Sequence, residues 1–198
     1  MASSVPFVGL TGGLGAGKST ALAALGRLGA AVISSDAVVH ELYEGSELRE
    51  KVVARFGADV APGGRVDRAA LAERAFASEE DRRWLEEQVW PMVGARVAAW
   101  LQEARERQPP PPAAVVEVPL LFEAGLQGIY DATIAVVADE ALRSERAGGR
   151  GHAAVAERDA RQLSQEEKAA RATFTVRNDG TEQELEDQLS AVLAKLGG

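Results

Sequence analysis

The chain contains no cysteine, which excludes a disulfide framework and thiolate metal sites and fits a reducing compartment. Histidine is scarce: His40 and His152 are the only two, too few and too far apart in sequence to suggest a zinc centre. No apolar run approaches the length of a membrane span, and the first residues lack the basic and apolar regions of an export signal. Positive charge is in short supply as well. The sequence holds 22 Lys and Arg against 30 Asp and Glu, a formal net charge of −8. Broad binding to nucleic acid or to an anionic membrane needs a basic footprint. Neither is therefore expected as a partner, and the expected location is the cytoplasm. An anionic substrate would have to be met by a local basic patch.

What is present is ordinary in bulk, with 46% hydrophobic and 26% charged residues. The 198 residues suit one domain with elaborations and a sizeable core. The informative stretch is Val8 to Thr20, an apolar strand, then a glycine-dense turn, then the opening of a helix. Gly12, Gly17, Lys18 and Ser19 fit G-x-x-x-x-G-K-[ST], the phosphate-binding loop. By chance this pattern would occur in about one chain in a hundred of this length, and both flanks supply the context it requires. Phosphate needs converging donors, and consecutive backbone N–H groups at a helix N-terminus provide them. Gly13, Leu14, Gly15, Ala16, Gly17, Lys18, Ser19 and Thr20 are thus the expected nucleotide contacts. Lys18 would reach the β/γ-phosphates, and the Ser19 hydroxyl would ligate Mg²⁺.

Val5 to Leu10 and Ala30 to Ile33 read as buried strands joined by a helix closed at Gly29, a βαβ unit that demands a parallel sheet. Asp36 follows the second strand, expected beside the first, where open α/β sheets bind ligands. Its carboxylate suits a base that takes the proton of an attacking hydroxyl, and equally an N-cap for a helix from Ala37 to Glu44. From Ser46 to Gln108 the pattern is almost wholly helical, with Asp67 and Ser78 as caps and Pro91 as a kink or restart. Trp84, Trp90 and Trp100 are read as helix packing, with a ligand-facing role for one of them as the alternative. Pro109 to Pro112 forms a rigid linker back to the core.

Ala113 to Val118, Ala132 to Ala138 and Phe174 to Arg177 complete five strands. Glu117 stands near the end of an apolar strand and needs a partner. Asp139-Glu140 superficially matches an ATPase acid pair, but Asp139 reads as a helix N-cap. Leu142 to Gln162 carries Arg143, Arg146, Arg150, Arg158 and Arg161, with Gly148, Gly149 and Gly151 loosening its centre. Such a segment suggests a lid that meets phosphate with bidentate arginines. Thr181 to Glu184 is a capping box that opens a final amphipathic helix.

The fold expected is α/β, a P-loop NTPase-type three-layer αβα arrangement around a parallel five-stranded sheet, with a helical insertion and an arginine-bearing lid. Residues 1–198 are one domain: a nucleotide-binding core (1–44, 113–140 and 163–198), an insertion (45–112) and a lid (141–162).

These residues together resemble the dephospho-CoA kinase family over nearly the whole chain. The resemblance rests on the loop from Leu10 to Thr20, Asp36, Phe56-Gly57, Pro119-Leu120-Leu121-Phe122-Glu123, Arg146 and Arg150, Arg158 and Gln162, and Asn178-x-Gly180. It implies ATP-dependent phosphorylation of the ribose 3′-hydroxyl of dephospho-CoA, with ATP and Mg²⁺ as donor and cofactor. Asp36 becomes the catalytic base, with Lys18 and Arg146 beside it in catalysis. Arg150 becomes a second lid residue on phosphate, Asn178 lies where the nucleotide-base loop runs, and the insertion becomes the acceptor-binding part. Ser34, Trp90, Glu117 and Thr173 depart from the family's usual Asp, His, Asp and Asp. Two other readings are a kinase for another small hydroxyl acceptor such as a nucleoside, and a regulatory NTPase. The latter lacks a guanine-selecting Asn-Lys-x-Asp.

Overall fold

The computed structural model describes residues 5–148 and 162–197. Five strands, β1 (Phe7–Gly12), β2 (Ala31–Ser34), β3 (Ala114–Glu117), β4 (Ala132–Val137) and β5 (Phe174–Arg177), form one parallel sheet in the order β2-β3-β1-β4-β5. The three central strands β3, β1 and β4 are buried almost throughout, as strands covered on both faces require, whereas the edge strand β5 buries only Val176. The sequence reading placed β2 beside β1. β3 stands between them instead, pairing Val8 with Val115 on one side and Val32 with Val115 on the other.

One face of the sheet is covered by α1 (Lys18–Arg27) and by the last helix, α8 (Glu182–Leu196). Their Ala21, Ala24, Leu25, Leu185, Leu189 and Leu193 close a core on Val8, Leu10, Val115, Ile134, Val136 and Val176. The other face carries α7 (Gln165–Arg171), packed on β4 and β1. It also carries Tyr130, whose ring lies 4.7 Å from that of Phe7. Burial pushes the Tyr130 phenol up to about 12. The start of β5 is stitched to β4 by a reciprocal pair: Thr133 N–H donates to the Thr173 hydroxyl and Thr173 N–H to the Thr133 hydroxyl, both at 3.0 Å.

The chain divides into two compact units, one from the start to Ser34 and from Leu101 onward, the other Ser35–Trp100. The second contains α2 (Ser35–Glu44), α3 (Ser46–Phe56), two 3₁₀ turns at Ala58–Val60 and Pro62–Gly64, α4 (Arg68–Ala75) and most of α5 (Glu79–Arg105). Leu48, Val52, Val60, Leu71 and Val89 form its core, with Phe56 and Trp84 packed against them. Asp67 caps α4 by accepting from Ala69 N–H and Ala70 N–H, and the Ser78 hydroxyl accepts from Asp81 N–H before α5.

Three details differ from the sequence reading. α5 runs unbroken through Pro91; the carbonyl that proline leaves without a donor is that of Glu87, an exposed residue where water can bond it. Trp90 is 61% exposed and does not pack, whereas Trp100 is buried. α2 begins at Ser35, so Asp36 sits inside its first turn rather than preceding it as an N-cap.

Candidate active site

β1 ends at Gly12, and the chain turns through a glycine-rich loop into α1. Gly17 immediately precedes α1 with φ 88° and ψ 33°, a left-handed conformation that costs a residue with a Cβ. No side chain caps α1, and no acidic residue stands in its first turn. Its first N–H groups and the positive end of its dipole are therefore left for an anion. The Lys18 ammonium donates to the carbonyls of Gly12 and Gly13, both at 3.0 Å, which holds a positive charge at the mouth of the loop.

The loop opens onto a cleft of about 360 Å³. Leu14, Gly15, Gly17, Lys18, Ser19 and Thr20 line one part of it; Glu117, Arg146, Asn178, Gly180 and Glu182 line the rest. Two of the expected contacts lie behind this lining. Ala16 is fully buried, and a Cβ on Gly13 would face the guanidinium of Arg143. Arg150 falls outside the described residues, as do Arg158 and Arg161. Asp36 is an exposed carboxylate on α2, in the second unit.

α6 (Glu140–Gly148) brings two arginines to the loop from one helix face, three residues apart. Arg143 Nε donates to the Leu14 carbonyl at 3.0 Å, and Arg146 Nη1 to the Asn178 carbonyl at 3.1 Å. Arg143 was legible only as a member of a basic patch; its i, i+3 spacing to Arg146 is the signal that marks it. Asn178 follows β5 and is held from three sides. Its N–H donates to the Val137 carbonyl at 2.8 Å, its carbonyl accepts from Arg146, and its side-chain amide donates to the Ala16 carbonyl at 2.9 Å.

Glu117 is the last residue of β3, in register with Leu10 on one side and Ser34 on the other. Asp36 follows two residues after Ser34 along the chain. No group of three or more His, Asp or Glu side chains suited to a metal occurs among the described residues. The Ser19 hydroxyl and the Glu117 carboxylate do share the cleft. Both are hard oxygen donors of the kind Mg²⁺ accepts alongside phosphate oxygens and water, so the donor set fits that ion.

Asp139 does not cap α6 with its side chain. Its carboxylate accepts from Arg177 Nη2 at 3.1 Å, and its N–H donates to Asp179 Oδ1 at 2.6 Å. The broader depression beside it, about 420 Å³ between Arg177, Asp179 and α8, contains no phosphate-loop residue. Its guanidinium is already engaged by Asp139 and Asp179.

The dephospho-CoA kinase family model (CoaE) matches residues 6–184. A dephospho-CoA kinase of Anaeromyxobacter dehalogenans is 40% identical over 196 residues, covering 96% of this chain and 92% of that protein. The crystal structure of a Thermus thermophilus protein superimposes with a TM-score of 0.81 at 35% identity, over 99% of this chain and 100% of that one. A dephospho-CoA kinase from Campylobacter jejuni shares the fold, with a TM-score of 0.64 at 22% identity over 98% of each chain. No helix among the described residues is long and apolar enough to cross a membrane. By the family model and by its curated relatives, the chain belongs to the dephospho-CoA kinase family.

Proposed function

We propose that the protein transfers the γ-phosphoryl group of ATP to the ribose 3′-hydroxyl of dephospho-CoA in the cytoplasm. The products are coenzyme A and ADP, and the reaction is the final step of coenzyme A biosynthesis. Family membership supports the acceptor. The single structural observation that supports the chemistry is the cleft in which an uncapped helix N-terminus, Lys18, Ser19, Glu117 and Arg146 converge.

In this reading the N–H groups of the loop residues that line the cleft, Leu14, Gly15 and Gly17 to Thr20, cradle the phosphates of ATP. Lys18 exchanges its bonds to the Gly12 and Gly13 carbonyls for the β- and γ-phosphate oxygens. Ser19 and Glu117 would hold Mg²⁺, which when bound neutralises charge on the β- and γ-phosphates. Arg146 offsets the charge spread over the equatorial oxygens of the transferring group, and Arg150 joins it by family resemblance. Asn178 braces the loop below the nucleotide. Asp36 accepts the proton of the attacking 3′-hydroxyl. The insertion 45–112 binds the acceptor, the lid 141–162 covers the site, and residues 1–44, 113–140 and 163–198 form the nucleotide-binding core.

The test is ADP release with ATP and Mg²⁺, measured with dephospho-CoA, with nucleosides and with no acceptor. Turnover that requires dephospho-CoA is expected. Equal turnover without any acceptor would overturn the proposal in favour of an NTPase, and preference for a nucleoside would reassign the acceptor.

A further inference from the structure

Among the described residues, Lys168 on α7 is a lysine with 0% exposure, well away from the ordinary place of that side chain. Its ammonium donates to the Pro119 carbonyl at 2.7 Å and meets Glu123 Oε1 at 2.9 Å. The same glutamate oxygen accepts the Leu163 N–H at 2.8 Å. Glu123 Oε2 is enclosed and has no hydrogen-bond partner among the described residues. A buried ion pair is a weak device for stability, because desolvating both charges offsets much of their attraction. What this pair holds in place is the more informative question.

The answer is the chain that leaves β3. The Pro119 carbonyl takes a second donor, the hydroxyl of Thr11, at 3.2 Å. Thr11 is itself fully buried and is followed directly by Gly12, where the phosphate loop starts. Val118 N–H donates to the Leu10 carbonyl at 2.8 Å. Leu121 and Phe122 are buried, which pins the middle of the Pro119–Glu123 segment. Pro119 is thus a node with one donor from the end of β1 and one from α7, two residues beyond Glu117 in the cleft. An ammonium suits this node, because its three protons serve a carbonyl and a carboxylate in different directions.

We propose that Lys168 is a positioning residue for phosphoryl transfer. Through the Pro119 carbonyl and Glu123 it fixes the exit of β3 against the exit of β1, and so sets Glu117 relative to the phosphate loop. The inference rests on the kinase reading of the cleft. A lysine that never reaches the nucleotide then governs the rate through two backbone segments.

The test compares the wild type with Lys168→Met and with Lys168→Met/Glu123→Gln, each assayed well below its own Tm. The double variant removes the unpaired buried charge while its amide oxygen still accepts from Leu163. In Lys168→Met, amide hydrogen exchange of peptides covering 9–13 and 117–123 is expected to rise about tenfold or more. The kcat is expected to fall by roughly 10- to 100-fold, the scale of a small misplacement of reacting groups, with KM for dephospho-CoA nearly unchanged. The double variant should regain Tm and not kcat, because Pro119 still lacks its donor from α7. Unchanged exchange in both peptides, or kcat returning together with Tm, would overturn the proposal. A wild type without dephospho-CoA-dependent turnover overturns the proposed function instead, and the exchange measurement still decides whether Lys168 holds the two exits.

Discussion

The side-chain amide of Asn178 occupies the place where a Cβ on residue 17 would have to go. From there it donates to the carbonyl of Ala16 at 2.9 Å. Gly17 is therefore constrained twice, by its left-handed φ of 88° and by this neighbour. Gly17→Ala should lower ATP affinity and cut turnover by roughly 10²-fold, because the loop must shift where reacting groups are held to fractions of an ångström. Isothermal titration with a non-hydrolysable ATP analogue and a steady-state assay measure both. Wild-type affinity in the variant would mean that Asn178 swings away at no cost.

Asp36→Asn isolates the proton-transfer step. The side chain keeps its size, and the carboxylate is an exposed one in the first turn of α2. ATP binding should be retained while kcat falls by about 10²-fold or more, the usual scale for loss of a general base. Normal kcat in that variant would remove Asp36 from the chemistry.

Thr173 stands where the family resemblance led one to expect Asp, and the structure supplies the physical reason the change is tolerated. Its hydroxyl accepts the buried Thr133 N–H, a bond that a carboxylate oxygen could equally accept. Thr173→Val removes that acceptor and should cost about 1 kcal/mol, a Tm decrease of roughly 2–4 °C for a chain of this size. Thr173→Asp should stay near the wild-type Tm. Thermal unfolding of the two variants checks the contrast, and equal losses would show that shape rather than the acceptor matters there.

The parts of the site that were legible in the sequence are local. Gly12, Gly17, Lys18 and Ser19 lie on one short stretch from the end of β1 to the start of α1, so their spacing carries its geometry. The capping box at Thr181 was legible for the same reason, and it forms with Glu184. What was not legible depends on partners far along the chain. β3 inserts between β1 and β2 because parallel strands joined by crossovers need not be sequence neighbours. Lys168 lies in the charged run Gln165–Arg171, to which the sequence pattern assigns no role. Only tertiary packing shows that its ammonium is enclosed by Pro119 and Glu123. Asp139 reads as a cap from its neighbours, and Arg177, 38 residues on, claims the carboxylate instead. That engagement also weakens the regulatory NTPase reading, which needs a strand-end acid free to act.

The second unit contains a pH-sensitive contact. Arg55 donates to Asp81 Oδ1 through Nε at 3.0 Å and Nη2 at 2.8 Å, and the Ser78 hydroxyl donates to Oδ2 at 2.9 Å. The Arg55 bonds first, and Ser78 second, hold the Asp81 carboxyl below its ordinary value. A lowered folded value means the contribution to stability is complete above the unfolded value, near 4, and is lost as pH falls through the folded one. The Tm difference between wild type and Arg55→Met should therefore be present at pH 7 and shrink in acid. It should be small throughout, because the pair is exposed to solvent. A gap that stays constant down to pH 2 would assign it to the packing of Arg55 over Trp84, 5.7 Å from the ring centre.

Two tryptophans of α5, ten residues apart, should behave oppositely on truncation. Trp100 is 6% exposed and Trp90 is 61% exposed. Removing a buried indole forfeits its transfer free energy and leaves a cavity, so Trp100→Ala should cost about 3–5 kcal/mol. On a chain of this size that is a Tm loss of at least about 6 °C. Trp90→Ala uncovers almost nothing and should fall within about 0.5 kcal/mol of the wild type. Paired thermal melts in the same buffer decide it. A large loss at Trp90 would mean that its ring is covered in solution.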